Sequence, residues 1–156
     1  MKRPVVVSAG GTLGQYVPFN FCPRSVMLYV VSQGHENYSG GQQQIVHLVS
    51  SVQTVVSTGR PWFFTDRHAD LGYAQQIESL NALDSLDWQV MPLRQWSGNT
   101  ETKEKRQAEF LLHDWCPWTA INAIGVINDK IAGEMTKILA GTDHKPQVTV
   151  RRDWYY

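Results

Sequence analysis

The sequence predicts a single α+β domain. Three observations carry that reading: a length and apolar content suited to one core, short strands and short helices in irregular order, and no nucleotide-loop signature. The chain has 156 residues, 42% of them hydrophobic, which suits one compact core. Strands and helices do not alternate as regular βαβ units, which argues against a doubly wound sheet. No GxGxxG follows a strand and no GxxxxGK[ST] loop occurs, so dinucleotide-fold and P-loop readings have no support.

Taken in order, the chain opens on MKRPVVV and runs into SAGGTLG with no element of ordinary length before the glycine pair. Residues 16–21 alternate as a strand that stops before Pro23, and 25–31 are apolar enough for a short buried helix, which places Arg24 at a strand-to-helix junction. Residues 45–48 read as a strand, and 49–56 as a helix with apolar positions at Val49, Val52, Val55 and Val56. Residues 62–65 form a strand whose end leads into Asp66, Arg67 and His68. A short helix is expected over 82–86, strands over 107–112 and 121–127, an amphipathic helix over 130–139, and a last strand over 147–150 before Trp154, Tyr155 and Tyr156. The polar stretches 32–43, 96–101 and 141–145 read as loops.

Charge and cysteine content narrow the function classes. Fourteen basic and fourteen acidic residues balance, so any contact with nucleic acid has to come from a local basic face. Cys22 and Cys116 are too few for a disulfide framework and form no CxxC pair. A reducing, cytoplasmic setting fits them. His35, His47, His113 and His144 lack the spacing of a zinc site, so no metal is assigned. No apolar run approaches the roughly 20 residues that span a bilayer, and the short run Val5 to Val7 is no signal peptide. No membrane partner is expected.

Glu109 is the leading candidate for chemistry. In the strand over 107–112, alternation sets Ala108, Phe110 and Leu112 on one face and Gln107, Glu109 and Leu111 on the other. A carboxylate mid-strand among apolar residues needs a reason, because a dry anion is costly unless paired or ligand-bound. The pattern alone also admits a Glu on a wet face or paired with Arg106. His68, just past a strand, suits a hydrogen bond to phosphate or ribose, or a general base, and equally an exposed structural histidine. Arg94, Lys103, Lys105 and Arg106, with Trp88 and Trp96 nearby, suit a phosphate track with a stacking ring, although Glu101 and Glu104 dilute the cluster. Arg67 joins Lys103, Lys105 and Arg106 as a candidate DNA contact. A metal-dependent nuclease using Asp66, His68 and Glu109 lacks the clustered carboxylates such sites gather.

Several segments resemble the DarT family in order along nearly the whole chain: YVPFNFCPRSVMLY, GGQQQIVHL, FFTDRHA, LDSLDW, KRQAEFLLHDWCPW, IGV and WYY. The resemblance implies the split β-sheet of the ADP-ribosyltransferases with short helices. It also implies an enzyme that transfers ADP-ribose from NAD to a base of single-stranded DNA, thymidine in preference to guanosine. Such an enzyme is the toxin of a bacterial toxin-antitoxin pair, and its partner is a DarG-type macrodomain antitoxin. By motif, Glu109 of QAEFL is the catalytic carboxylate. His68 of the TDxHA segment, and Arg24 and Met27 of PRSxMLY, line the NAD or active-site cleft.

Two departures from the family pattern stand out. Asn20 lies in that cleft where the family usually has an aromatic residue. The family also carries a further N-terminal segment with a His-containing strand for NAD and a catalytic arginine. Nothing here matches the His-containing segment, and Arg3 lies near where the arginine falls. Residues 1–156 are therefore expected to form one DarT-like domain lacking the N-terminal part. Two readings stay open: an active enzyme that is longer in its native form, or a truncated, inactive module that binds single-stranded nucleic acid or a partner.

Overall fold

The computed structural model describes residues 2–34 and 38–156. Met1 and residues 35–37, with His35 and the middle of the loop expected over 32–43, lie outside the described residues. Backbone contacts divide the chain into two compact units, Met1–Ser25 with Gly59–Cys116, and Val26–Thr58 with Pro117–Tyr156. Each unit has its own β-sheet.

The first unit is built on a four-stranded antiparallel sheet in the order β1-β5-β3-β4. The strands are β1 (Tyr16–Asn20), β3 (Trp62–Thr65), β4 (Gln76–Ile77) and β5 (Glu109–His113). β5 lies between β1 and β3, and its first four residues are buried, which accounts for a nearly unbroken apolar run rather than strict alternation. Phe63, Phe64, Phe110, Leu111 and Leu112 are almost wholly out of water, each worth about 1.5–3 kcal/mol of burial. Trp62 stacks on Phe110 at 5.2 Å, and Tyr16 meets Phe63 edge-on at 5.0 Å. Val5, Leu13, Tyr16, Phe63, Ala69 and Leu111 form one contiguous cluster.

The glycine pair that precedes β1 makes a turn. Gly10 and Gly11 both have positive φ, 73° and 78°, a region glycine enters without the penalty of a Cβ. The turn lets the chain fold back on itself, with Val5 N–H donating to Gly11 O at 2.9 Å and Leu13 N–H to Arg3 O at 3.0 Å. The opening segment, which the sequence left without an element, is thus ordered by hydrogen bonds across its own turn.

The second unit carries a three-stranded sheet in the order β2-β6-β7, formed by β2 (His47–Val49), β6 (Ala123–Val126) and β7 (Gln147–Val150). β2 and β6 run antiparallel, β6 and β7 parallel. A parallel pair needs a crossover, and α4 (Asp129–Leu139) supplies it. Asn128 caps that helix by accepting the Ile131 N–H at 3.0 Å, and its apolar stripe descends through Ile131 and Met135 to the buried Leu139. The unit also holds α1 (Val26–Ser32) and α2 (Val52–Val56), the latter capped by Ser51. Val49, expected to open that helix, instead ends β2.

The strand β4 and the helix α3 (Thr100–Lys105) of the first unit were not foreseen. β4 has only two residues, too few for a periodic signal, and α3 starts in the last two residues of the 96–101 stretch read as loop and runs past it. α3 is polar throughout with no buried residue, so it carries no apolar stripe. Its start is marked only by Asn99, whose side chain accepts the Thr102 N–H at 3.0 Å.

The aromatic tail is seated by the absence of a side chain. A Cβ on Gly125 in β6 would stand 2.3 Å from the Trp154 ring. Tyr155 Oη donates to Ile45 O at 2.7 Å, and burial pushes its phenol pKa up to about 12. Gly125→Ala is therefore expected to displace the Trp154 ring and lower stability by about 1–3 kcal/mol, read as a lower urea midpoint together with a change in tryptophan emission.

Candidate functional site

Glu109 opens β5 rather than sitting at its middle, opposite Asn20 of β1 in the antiparallel register. It is buried, with 8% of its surface exposed, and the fold gives its carboxylate donors. Oε2 accepts the Ala69 N–H at 3.1 Å and lies 3.6 Å from His68 Nδ1. The second distance is in ion-pair range and just beyond a normal hydrogen bond. Nδ1 is buried and has no hydrogen-bond partner among the described residues. The backbone at Glu109 is fixed as well: its N–H donates to Thr65 Oγ1 at 3.3 Å, and that hydroxyl donates to Arg67 O at 2.7 Å.

The close approach of the Glu109 carboxylate to Nδ1 raises the His68 pKa above the ordinary 6.5, burial opposes the rise, and the charge of Asp70 adds to it. The imidazole is therefore more readily charged than a free one.

Both partners of the carboxylate ride on the loop between β3 and β4. Asp66 Oδ1 accepts the Gln75 N–H at 2.8 Å and so joins the loop's two ends. Glu104, at the end of α3, holds the outer side: its carbonyl accepts the His68 N–H at 3.3 Å, and its carboxylate accepts from Tyr73 Oη at 2.8 Å and pairs with Arg67 at 3.5 Å. Ala69, Thr65 and Tyr73 did not stand out in the sequence, and Glu104 did so only as an acid within the basic cluster. A backbone N–H has no residue signature, and the other side chains act through partners that only the fold brings near.

Arg3 lies in the same unit, with its guanidinium donating to the carbonyls of Ala69, Gly72 and Ala74. Arg24 lies past the end of β1, and its carbonyl accepts from Arg106 Nη2 at 2.8 Å. Met27 belongs to α1 of the second unit and is 69% exposed.

The basic face differs from expectation. Arg106, a candidate DNA contact, is 1% exposed and donates to the carbonyls of Val90, Met91 and Arg24, with its guanidinium 5.6 Å from the centre of the Trp96 ring. A guanidinium buried in that way is a structural pin, out of reach of a phosphate. Lys105 is matched by Glu101 at 2.9 Å and Asp87 at 3.3 Å, and Arg67 by Asp66 at 3.0 Å and Glu104. Lys103 is exposed and has no acidic partner among the described residues. Among the described residues, no group of three or more His, Cys, Asp or Glu stands close enough to hold a metal ion, and no helix is long and apolar enough to cross a membrane.

A buried strand-start carboxylate facing a histidine, in a fold of two small sheets, narrows the comparison with known proteins. The family model described as "ssDNA thymidine ADP-ribosyltransferase, DarT" matches residues 2–156. The chain belongs to the DarT family. A DNA ADP-ribosyl transferase of Thermus sp. (strain 2.9) is 45% identical over 149 residues, 94% of this chain and 71% of the relative. Thermus sp. 2.9 DarT solved in complex with ADP-ribosylated ssDNA has a TM-score of 0.96 and 43% identity, covering 99% of this chain and 76% of that one. The same Thermus protein solved with NAD+ gives a TM-score of 0.96 and 43% identity over 99% of this chain and 80% of that one. The mixed helix-and-sheet fold expected from the sequence is thus that of DarT, and one family domain embraces both compact units.

Two outcomes follow for this DarT-family chain. Arg106→Met leaves three buried carbonyls without their donor and should lower stability by about 3 kcal/mol, read from urea denaturation. For His68 the sign runs with acid: folding raises its pKa, so its contribution is complete below 6.5 and is lost as pH rises through the higher folded-state value. The gap in urea midpoint between wild type and His68→Gln should be widest near about pH 5.5 and nearly closed by about pH 9.

Proposed function

We propose that this chain transfers ADP-ribose from NAD to a thymidine base in single-stranded DNA, with Glu109 as the group that stabilises the transition state. The observation that carries the proposal is the buried Glu109 carboxylate, held by the Ala69 N–H and faced by His68. Support for the substrates comes from the family description, which specifies thymidine, and from the Thermus structures solved with NAD+ and with ADP-ribosylated ssDNA.

The chemistry fits a fixed carboxylate. The glycosidic bond between nicotinamide and the ribose breaks, its electron pair leaves with neutral nicotinamide, and positive charge develops at the anomeric carbon. An anion already oriented by its fold favours that charge more than the ground state. A ring nitrogen of the base then forms the new bond and gives up its proton. His68, when neutral, is assigned as the general base, or as a hydrogen-bond donor to the ribose or a phosphate of NAD.

Asn20, opposite Glu109 in β1, is assigned to the cleft together with His68 and Arg24, with Arg3 behind the His68 loop. Lys103 is the exposed cation assigned to the DNA backbone, with Arg67 and Lys105 beside it in partly neutralised form. An unpaired strand suits such a reaction because the target atom is hidden in a duplex. The biological reading is a cytoplasmic bacterial toxin whose mark a DarG-type macrodomain antitoxin removes.

Incubation with labelled NAD and single-stranded oligonucleotides should give nicotinamide release and a mass gain on thymidine-containing strands. Strands lacking thymidine should stay unmodified. Glu109→Gln keeps the side chain's size and removes its charge, so kcat should fall by about 10²–10³-fold. Full activity in that variant would sink the mechanism, and equal modification of thymidine-free strands would sink the base assignment.

A further inference from the structure

The loop from Asp66 to Gln75 has an inner and an outer tether. On the outer side Glu104 accepts the His68 N–H. On the inner side Arg3 reaches in, with Nη1 donating to Ala69 O and Nη2 to Gly72 O at 3.3 Å and Ala74 O at 2.7 Å. Ala69 is fully buried in the same apolar cluster as Val5. The two polar groups of that one residue are both committed: its N–H to Glu109, its carbonyl to Arg3.

We propose that Arg3 is a positioning residue of the transfer reaction. By fixing the carbonyls of Ala69, Gly72 and Ala74 it sets the Ala69 N–H and the His68 ring against Glu109, and so sets the direction of the carboxylate. The inference rests on the reading of Glu109 as the group that faces the anomeric carbon.

The anchor is itself stiff. Arg3 O accepts the Leu13 N–H, Pro4 pairs with Thr12, and the Gln76 side chain joins Val6 N–H at 2.8 Å to Pro4 O at 3.0 Å. A guanidinium suits the task because its donors form a rigid planar fork able to serve several carbonyls at once, whereas an ammonium is a mobile point charge. Every described contact of the Arg3 guanidinium goes to the loop. Its influence on the reaction therefore passes through the loop it holds.

The test combines kinetics with a readout that needs no turnover. His68 is faced by Glu109 from β5 and by Asp70 from its own loop, and its backbone by the Glu104 carbonyl at the end of α3. In the full chain, Arg3→Gln should lower kcat by about 10- to 100-fold with little change in KM for NAD. It should also move the NMR titration midpoint of the His68 ring down toward 6.5, since the loosened loop lets the ring leave Glu109. Arg3→Lys should fall between wild type and Arg3→Gln on both readouts, and it carries the same test if Arg3→Gln does not fold.

Wild-type kcat and an unmoved His68 midpoint in Arg3→Gln would overturn the proposal. So would a loss of kcat with the His68 midpoint unmoved, because Arg3 would then act by another route. Glu109→Gln separates the two readings: if it keeps full activity, the catalytic assignment fails, while the His68 midpoint in Arg3→Gln still reports whether Arg3 holds the loop.

Discussion

An ionised carboxylate taken out of water has to be supplied with donors by its own fold, and that demand at Glu109 organises much of the first unit. One partner is a backbone N–H that donates to it and the other a histidine in ion-pair range, and both lie on a single loop. That loop is closed by Asp66, tethered by Glu104 and filled by Arg3. The carboxylate stands on a central strand with little freedom to shift, while its partners stand on a segment that would wander without these ties. Orientation at the site is thus a property of the loop, and the charge is a property of the strand.

Arg106 meets the same demand with the opposite sign. Its charge is buried and spread over three carbonyls from two stretches of chain, residues 90–91 and residue 24. The loop before α3 has little regular structure of its own, so this one side chain does work that a helix or strand would otherwise do. The cost is borne by the basic face, which loses a cation to the interior and has two more matched by acids.

The sheet strands were largely legible in the sequence. Residues 62–65 and 147–150 coincide with β3 and β7, because each is a short β-branched or aromatic run bounded by turn residues. α3 was not legible, since a polar helix without a buried face leaves no period to detect. At the site, Glu109 and His68 were visible as chemical types and through the resemblance of their segments to the DarT family. Arg106 misled for a physical reason: composition reports a cation but not which side of the surface it lies on. The Ala69 N–H, which holds Glu109, has no counterpart in residue identity at all.

The strand order of the first unit bears on synthesis. β5 is the last of its four strands to leave the ribosome, yet it pairs with both β1 and β3. Until it emerges, β1 has no neighbour and the sheet is open at its centre. Contacts so distant in sequence form slowly, because the intervening chain must be ordered first. Glu109 begins that same strand, so the residue that would do the chemistry and the strand that completes the sheet arrive together. A nascent chain therefore cannot close this sheet before the carboxylate is present.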